Sequence, residues 1–215
     1  MVNLLRFHGL NCGHRPIRRP IARLADHDSL GRSKRLRFAS PRHRETPMPP
    51  TDIRYAVGQC SLGALLVARS PAGLCAISLG DDAGALATSL LAAHPQARPD
   101  TDGAALAQVA AFIDTPGSAL ALPLAPMGTA FQQRVWQALG QIAPGHTLSY
   151  TELAARIGAP RAVRAVAGAC AANPLAVAIP CHRVLRRDGT LAGYRWGEAR
   201  KRYLLDQEAQ LGHAP

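Results

Sequence analysis

The sequence predicts a mixed α/β (α+β) chain in two folded parts. A short β-rich unit is expected over residues 51–125 and a mainly helical unit over residues 126–215, behind a basic tail at residues 1–50. Three observations predict this. Residues 53–79 divide into three short apolar runs bounded by Ser, Pro and Gly turn signals. From Thr129 onward apolar residues recur at helical spacing behind Ser/Thr-x-x-Glu/Gln starts. The formal charge of +11 is uneven, with a net +8 in residues 1–50, −2 in residues 51–150 and +5 in residues 151–215.

The tail holds eleven Lys and Arg against three Asp and Glu, many prolines and no sustained apolar period, so it predicts poor order. Three accounts of it stay open. It is a solvated arm adding non-specific DNA affinity, a targeting segment, or the product of a start site placed before the true one at Met48. Five cysteines (Cys12, Cys60, Cys75, Cys170, Cys181) show no metal or disulfide spacing. Their odd number fits a reducing cytoplasm, the expected compartment. No apolar run approaches a membrane span, so no membrane partner is expected.

Residues 53–60, 63–70 and 73–79 read as strands, separated by Ser61-Leu62-Gly63 and Pro71-Ala72-Gly73. Val57, Leu65, Val67, Leu74, Ala76 and Ile77 supply their core face, and Cys60 and Cys75 pack. Residues 82–94 read as a helix with Leu86, Leu90 and Leu91 on one face, stopped by His94-Pro95. Residues 103–113 form a second helix, with Leu106, Val109, Ala110 and Ile113 at helical spacing. Residues 120–124 read as a further strand. No catalytic constellation appears before residue 126.

Thr129 and Gln132 have capping-box spacing, and Phe131, Val135, Trp136 and Leu139 give that helix a core stripe. Ser149 and Glu152 repeat the device, with Leu153, Ala154 and Ile157 pointing inward. Gly158 closes this helix, Pro160 opens the next, and the next runs over residues 161–172. The pair is a helix-turn-helix pattern. Alanine and glycine dominate its second helix, which can therefore approach protein core or a narrow DNA groove closely. Arg161 and Arg164 are its long charged side chains. Asn173-Pro174 ends it, and apolar residues 175–179 read as a buried strand. A turn at residues 186–189 and a loop at residues 191–197 follow. The final helix covers residues 199–209, with Tyr203, Leu204 and Leu205 inward and Glu208 near its end; His213 lies beyond it in a frayed tail.

Pro180 ends that strand and Cys181 follows at once, beside His182 and Arg183. Positive charge and a neighbouring base favour the thiolate, the nucleophilic form of cysteine. Cys181 is thus a candidate nucleophile. The run Pro180-Cys181-His182-Arg183-Val184 resembles the active-site signature of the methylated-DNA–protein-cysteine methyltransferases, which repair DNA. The resemblance spans about residues 53–208, is densest from Gly128, and is nearest the carboxyl-terminal half of bacterial Ada. It implies an RNase H-like small domain ahead of the alkyltransferase domain. The zinc module of Ada is absent, since the tail holds one cysteine.

The resemblance also implies roles. Cys181 takes an alkyl group from the O6 position of guanine, and also from O4 of thymine, in a single use. Arg164 enters the base stack from the minor groove, and Tyr150 rotates the target nucleotide and donates to the guanine ring. Asn173 stabilises the turn carrying the cysteine, and Tyr194 contacts the extruded base. Some members have Ser where this chain has Arg195, next to that tyrosine. His182 accepts the cysteine proton through water, with Glu208 in support. Adjacent side chains in an extended segment point apart, so only the resemblance argues that His182 serves Cys181. Arg183 is expected to pair with a core carboxylate. The implied partner is double-stranded DNA carrying alkylated guanine, acted on by a monomer without cofactor or metal. Two other readings are a lesion-sensing helix-turn-helix protein without catalysis and a Cys–His hydrolase. The hydrolase leaves Arg164 and the alanine-rich helix unexplained.

Overall fold

The computed structural model describes residues 52–211. The expected tail, with Cys12 and Met48, and the terminal His213 lie outside the described residues.

Strands β1 (Arg54–Cys60), β2 (Gly63–Ser70) and β3 (Gly73–Gly80) form an antiparallel meander. A two-residue strand, β4 (Arg98–Pro99), adds to β1 in parallel and gives the order β3-β2-β1-β4. It is too short to leave a periodic signal in the sequence. Helices α1 (Ala83–Ala93) and α2 (Ala104–Asp114) cover the two faces. Leu66, Ala68 and Cys75 meet Leu90 of α1, while Leu65, Val67, Ile77 and Leu79 join Val109 and Ile113 of α2 in the main core. A strand buried on both faces reads as one apolar run, as Ala64-Leu65-Leu66-Val67-Ala68 does.

Two expectations here are corrected. Val57 is 40% exposed, because β4 pairs only with Arg54 and Tyr55 and leaves this stretch of β1 at the outer edge. Residues 120–124 are not a strand; Leu124 alone makes a parallel bridge, with Leu74 of β3. The Leu74 N–H donates to the Pro123 carbonyl and the Ala125 N–H donates to that of Leu74, both at 2.8 Å.

In the second half, α3 (Ala130–Leu139) opens with both bonds of the Thr129–Gln132 capping box. Trp136 is 1% exposed and donates from Nε1 to the Ala169 carbonyl at 2.8 Å. Strand β5 (Leu148–Ser149) leads into α4 (Tyr150–Arg156), whose Ser149–Glu152 capping box is also complete. Gly158, at φ +71°, ends α4 where a side chain would be strained. The next helix, α5 (Val163–Ala171), begins later than expected. Residues 159–162 form their own turn, closed by the Ala162 N–H on the Ala159 carbonyl, and Arg161 lies in it. After Cys181 a strand β6 (Val184–Leu185) pairs in parallel with β5. Helix α6 (Glu198–Leu211) closes the chain, with Leu204 and Leu205 buried but Tyr203 44% exposed, contrary to its expected inward orientation.

The main correction concerns residues 175–179. All five are buried, yet they form a bend and not a strand. Leu175 bridges to Ile77, and the Ala176 N–H donates to the Ile77 carbonyl at 3.0 Å. The chain then folds back, with the Ile179 N–H on the Leu175 carbonyl at 3.0 Å and Val177 at φ 63°. That conformation costs a β-branched residue about 1–3 kcal/mol. A short buried apolar run has no periodicity to separate bend from strand. One continuous core crosses residues 125 and 126, so β3 directly carries the bend that precedes Cys181.

Trp136→Ala is expected to cost about 3–5 kcal/mol, read by denaturant unfolding, because it removes a fully buried ring and orphans a carbonyl of α5.

Candidate active site

Asn173 follows α5 directly and is fully buried. Its Oδ1 accepts from the Leu175 N–H at 2.9 Å. Its Nδ2 donates to the carbonyls of Leu175 (3.3 Å) and Ile179 (2.8 Å) and to the Cys181 sulfur (3.3 Å). Two amide hydrogens thus serve three acceptors. The same side chain shapes the bend and touches the thiol.

Cys181 is 5% exposed and begins a short 3-10 turn (Cys181–Arg183). Burial pushes its thiol pKa up; the hydrogen bond from Asn173 and then the charge of Lys201 oppose that shift. The sulfur lies in the wall of a cavity of about 430 Å³, shared with Tyr150, Cys170, Ala192, Tyr194 and Arg195. Burial raises the Tyr150 phenol to about 12 and the Cys170 thiol to about 12, so both stay protonated at neutral pH. The Tyr194 hydroxyl is buried with no partner at hydrogen-bonding distance, and burial raises it strongly. Its ring stands edge-on to Trp196, at 5.1 Å between centroids, and to His182, at 6.5 Å.

Behind the thiol, Glu208 is saturated. Its Oε1 accepts from His182 Nε2 at 3.0 Å and Arg183 Nη2 at 2.7 Å; its Oε2 accepts from Arg183 Nε at 2.9 Å and the Gly145 N–H at 3.4 Å. Arg183 also donates to the Ile142 carbonyl. Burial alone would raise the Glu208 carboxyl, but the hydrogen bond from His182 and the bonds and charge of Arg183 outweigh it and hold it at about 2. A carboxylate only accepts, so His182 Nε2 carries the proton in this contact. Nδ1 is then the basic nitrogen, and it is buried without a hydrogen-bond partner. Burial lowers the His182 pKa, so the ring is neutral near pH 7 and able to accept a proton there.

Among the described residues no group of His, Cys, Asp or Glu could hold a metal ion. No helix among them is long and apolar enough to cross a membrane.

Residues 130–210 match the family model of the 6-O-methylguanine DNA methyltransferase DNA-binding domain. Over 164 residues the chain is 53% identical to the bifunctional transcriptional activator/DNA repair enzyme Ada of Escherichia coli, covering 74% of this chain and 46% of Ada. It is 54% identical over 87 residues to the methylated-DNA–protein-cysteine methyltransferase of Haemophilus influenzae, covering 40% of this chain and 49% of that protein. The chain spans about half the length of the curated relatives it matches. The crystal structure of the Mycobacterium tuberculosis O6-methylguanine methyltransferase matches with a TM-score of 0.62 and 36% identity, over 76% of this chain and 95% of that one. The chain belongs to the O6-methylguanine methyltransferase family. A further match, at TM-score 0.61 and 34% identity over 74% of this chain and 93% of the other, is the M. tuberculosis OGT in complex with DNA.

Within this methyltransferase fold, Cys181, Tyr150, Tyr194 and Arg195 meet at one cavity, and Asn173 holds the sulfur. His182 and Glu208 pair directly beneath. Arg183 takes the core carboxylate expected for it. Arg195 is exposed on the cavity wall, its guanidinium 6.0 Å from the Trp196 ring centre. Arg164 and Arg161 stand apart from this cluster, exposed on α5 and in the turn before it. Sequence reasoning missed Lys201, which is 1% exposed. The signal was present: Lys201, Leu204, Leu205 and Glu208 share one helical stripe, one turn longer than the stripe recognised.

Glu208→Gln is expected to cost about 2–4 kcal/mol near pH 7, since the partly buried Arg183 is left without its anion. Native stabilisation through Glu208 is complete above its ordinary value of 4.5 and is lost as pH falls towards about 2. The variant is therefore expected to lose less stability than the parent across that interval, read by denaturant unfolding at stepped pH.

Proposed function

We propose that the protein repairs DNA by moving a methyl group from the O6 position of guanine, and from O4 of thymine, onto its own Cys181. The observation that carries this is the buried sulfur, held by Asn173, in a cavity of about 430 Å³, a volume typical of small-ligand pockets. A base inside a duplex cannot reach such a sulfur, so the target must be extruded.

Helices α4 and α5 act as the helix-turn-helix. In support, Ala165, Gly168 and Ala171 give α5 an exposed face almost free of side-chain bulk, and Arg164 projects from the same helix. Such a face suits the minor groove, with Arg164 filling the space the base leaves. The part over residues 51–125 is read as the RNase H-like scaffold, a reading supported by the sheet order β3-β2-β1-β4. Residues 126–215 form the alkyltransferase part.

In the reaction, the Cys181 proton passes through water to Nδ1 of His182, while Nε2–H stays on Glu208. Glu208 accepts no proton; its part is to orient the ring and balance the imidazolium. The thiolate attacks the methyl carbon in line. The carbon–oxygen bond breaks, its electron pair stays on the base, and the base takes up a proton from the Tyr150 hydroxyl. Tyr150 recovers one from solvent as the His182 imidazolium releases one to it, so that the proton lost by Cys181 is in sum the proton gained by guanine. The products are S-methylcysteine and normal guanine. A thioether offers no easy return to thiol, so each molecule acts once.

Intact mass after mixing with a duplex carrying one O6-methylguanine is expected to rise by one methyl, about 14 Da, at Cys181. Cys181→Ala is expected to bind the duplex without the gain; an unchanged mass in the bound parent protein would favour a lesion-sensing role. Arg164→Ala is expected to slow repair in duplex at least tenfold more than reaction with the free methylated base, the difference expected when an intrusion that opens the stack is lost. Equal losses on the two substrates would contradict that role.

A further inference from the structure

Lys201 is a buried ammonium that none of the proposed steps uses. Its Nζ donates to the Val184 carbonyl at 2.7 Å and to the Ala192 carbonyl at 3.4 Å. Val184 leaves the turn that Cys181 opens, and Ala192 lies on the cavity wall. Lys201 makes no salt bridge to a carboxylate among the described residues. Glu198, on the same helix, is paired with Arg202, and Glu208 is filled by Arg183, His182 and Gly145. Two carbonyls solvate an ammonium but do not neutralise it, and an uncompensated buried charge is costly.

Burial lowers the Lys201 pKa; the charges that oppose this are those of Cys181 and Cys170 and then Glu198 on its own helix, with Arg186 acting the other way. Of the two thiols, Cys181 acts on it more strongly and receives the hydrogen bond from Asn173. Arg195 is the other cation that favours negative charge on Cys181, but it is exposed to solvent, where its effect is screened. Tyr150 and Tyr194 share the cavity as neutral phenols, and His182 is neutral beneath it.

We propose that Lys201 is a positioning residue for alkyl transfer: the buried counter-charge that stabilises the Cys181 thiolate as its proton leaves for His182, fixed in place by the carbonyls of Val184 and Ala192. Burial then raises the reactivity of the pair instead of silencing it, because each charge is the compensation for the other. The inference rests on Cys181 as the acceptor, but its test needs no DNA. Failure to repair a lesion is therefore distinguishable from failure here.

The test follows alkylation of Cys181 by iodoacetamide against pH, with peptide mass as the readout, in the full chain and in Lys201→Met and Lys201→Gln. Gln keeps a donor without the charge, and Met keeps the length without either. Both are expected to move the profile to higher pH and to lower the rate near pH 7 on the order of tenfold, the factor for one pKa unit. The alkaline plateau is expected to stay. A changed plateau with an unmoved midpoint would show a strap with no electrostatic part and overturn the proposal. A second measurement uses the unaltered sequence. The Lys201 ammonium is titrated by NMR before and after S-methylation of Cys181 with iodomethane. Linkage is reciprocal, so removing the thiolate is expected to move the lysine titration to lower pH. An unmoved titration would overturn the proposal whether or not the variants fold.

Discussion

Asn173 carries a constraint on which the rest of the site depends. Its buried carboxamide bonds the backbone of the bend at residues 175–179 and the Cys181 sulfur together. The bend contains Val177 at φ 63°, a conformation that costs about 1–3 kcal/mol. Three carboxamide–backbone bonds at about 0.5–1.5 kcal/mol each are of the size needed to offset it. A straight strand through residues 175–179 would carry the chain along β3. The bend instead turns it into the 3-10 turn from which Cys181 enters the cavity wall and His182 meets Glu208. Position and hydrogen-bonding of the Cys181 sulfur thus have one cause.

The second layer of order is electrostatic. Glu208 is filled by Arg183, His182 and the Gly145 N–H, which fixes which imidazole nitrogen is protonated. A carboxylate held at about 2 is a poor base, which is why the proposed reaction gives the proton to His182 and leaves Glu208 to orient the ring. On the other side, the buried ammonium of Lys201 is held by the carbonyls of Val184, at the exit of the Cys181–Arg183 turn, and Ala192, on the cavity wall. Charge lies on both sides of Cys181, while its immediate surroundings are an amide, two phenols and small side chains.

Much of this was legible in the residue order, for identifiable reasons. Capping boxes at Thr129 and Ser149 are local devices, and both appear with each of their bonds made. Turn residues around Gly63 and Gly73 likewise placed the meander. The residues grouped around Cys181 came from the family resemblance, and the structure brings Tyr150, Asn173 and Tyr194 to it, while His182 pairs with Glu208. The misses have reasons too. Residues 175–179 and the exposure of Val57 and Tyr203 were decided by tertiary surroundings, namely Ile77, the end of β4 and the side of α6 left uncovered, and the late start of α5 by the closed turn at residues 159–162 just before it. Lys201 escaped notice because a lysine is ordinarily solvated, although it shares the buried stripe of Leu204, Leu205 and Glu208; the carbonyls of Val184 and Ala192 receive its ammonium.

The central claim is that Cys181 is the acceptor and is consumed. Its most direct test is stoichiometric: protein mixed with a molar excess of duplex lesions, and methyl groups counted on protein and in DNA until the reaction stops. The account predicts a halt at one methyl per protein molecule, all of it on Cys181, with guanine restored in equal amount. Continued loss of lesions beyond one per molecule, or methyl settling on another residue while Cys181 stays free, would contradict it.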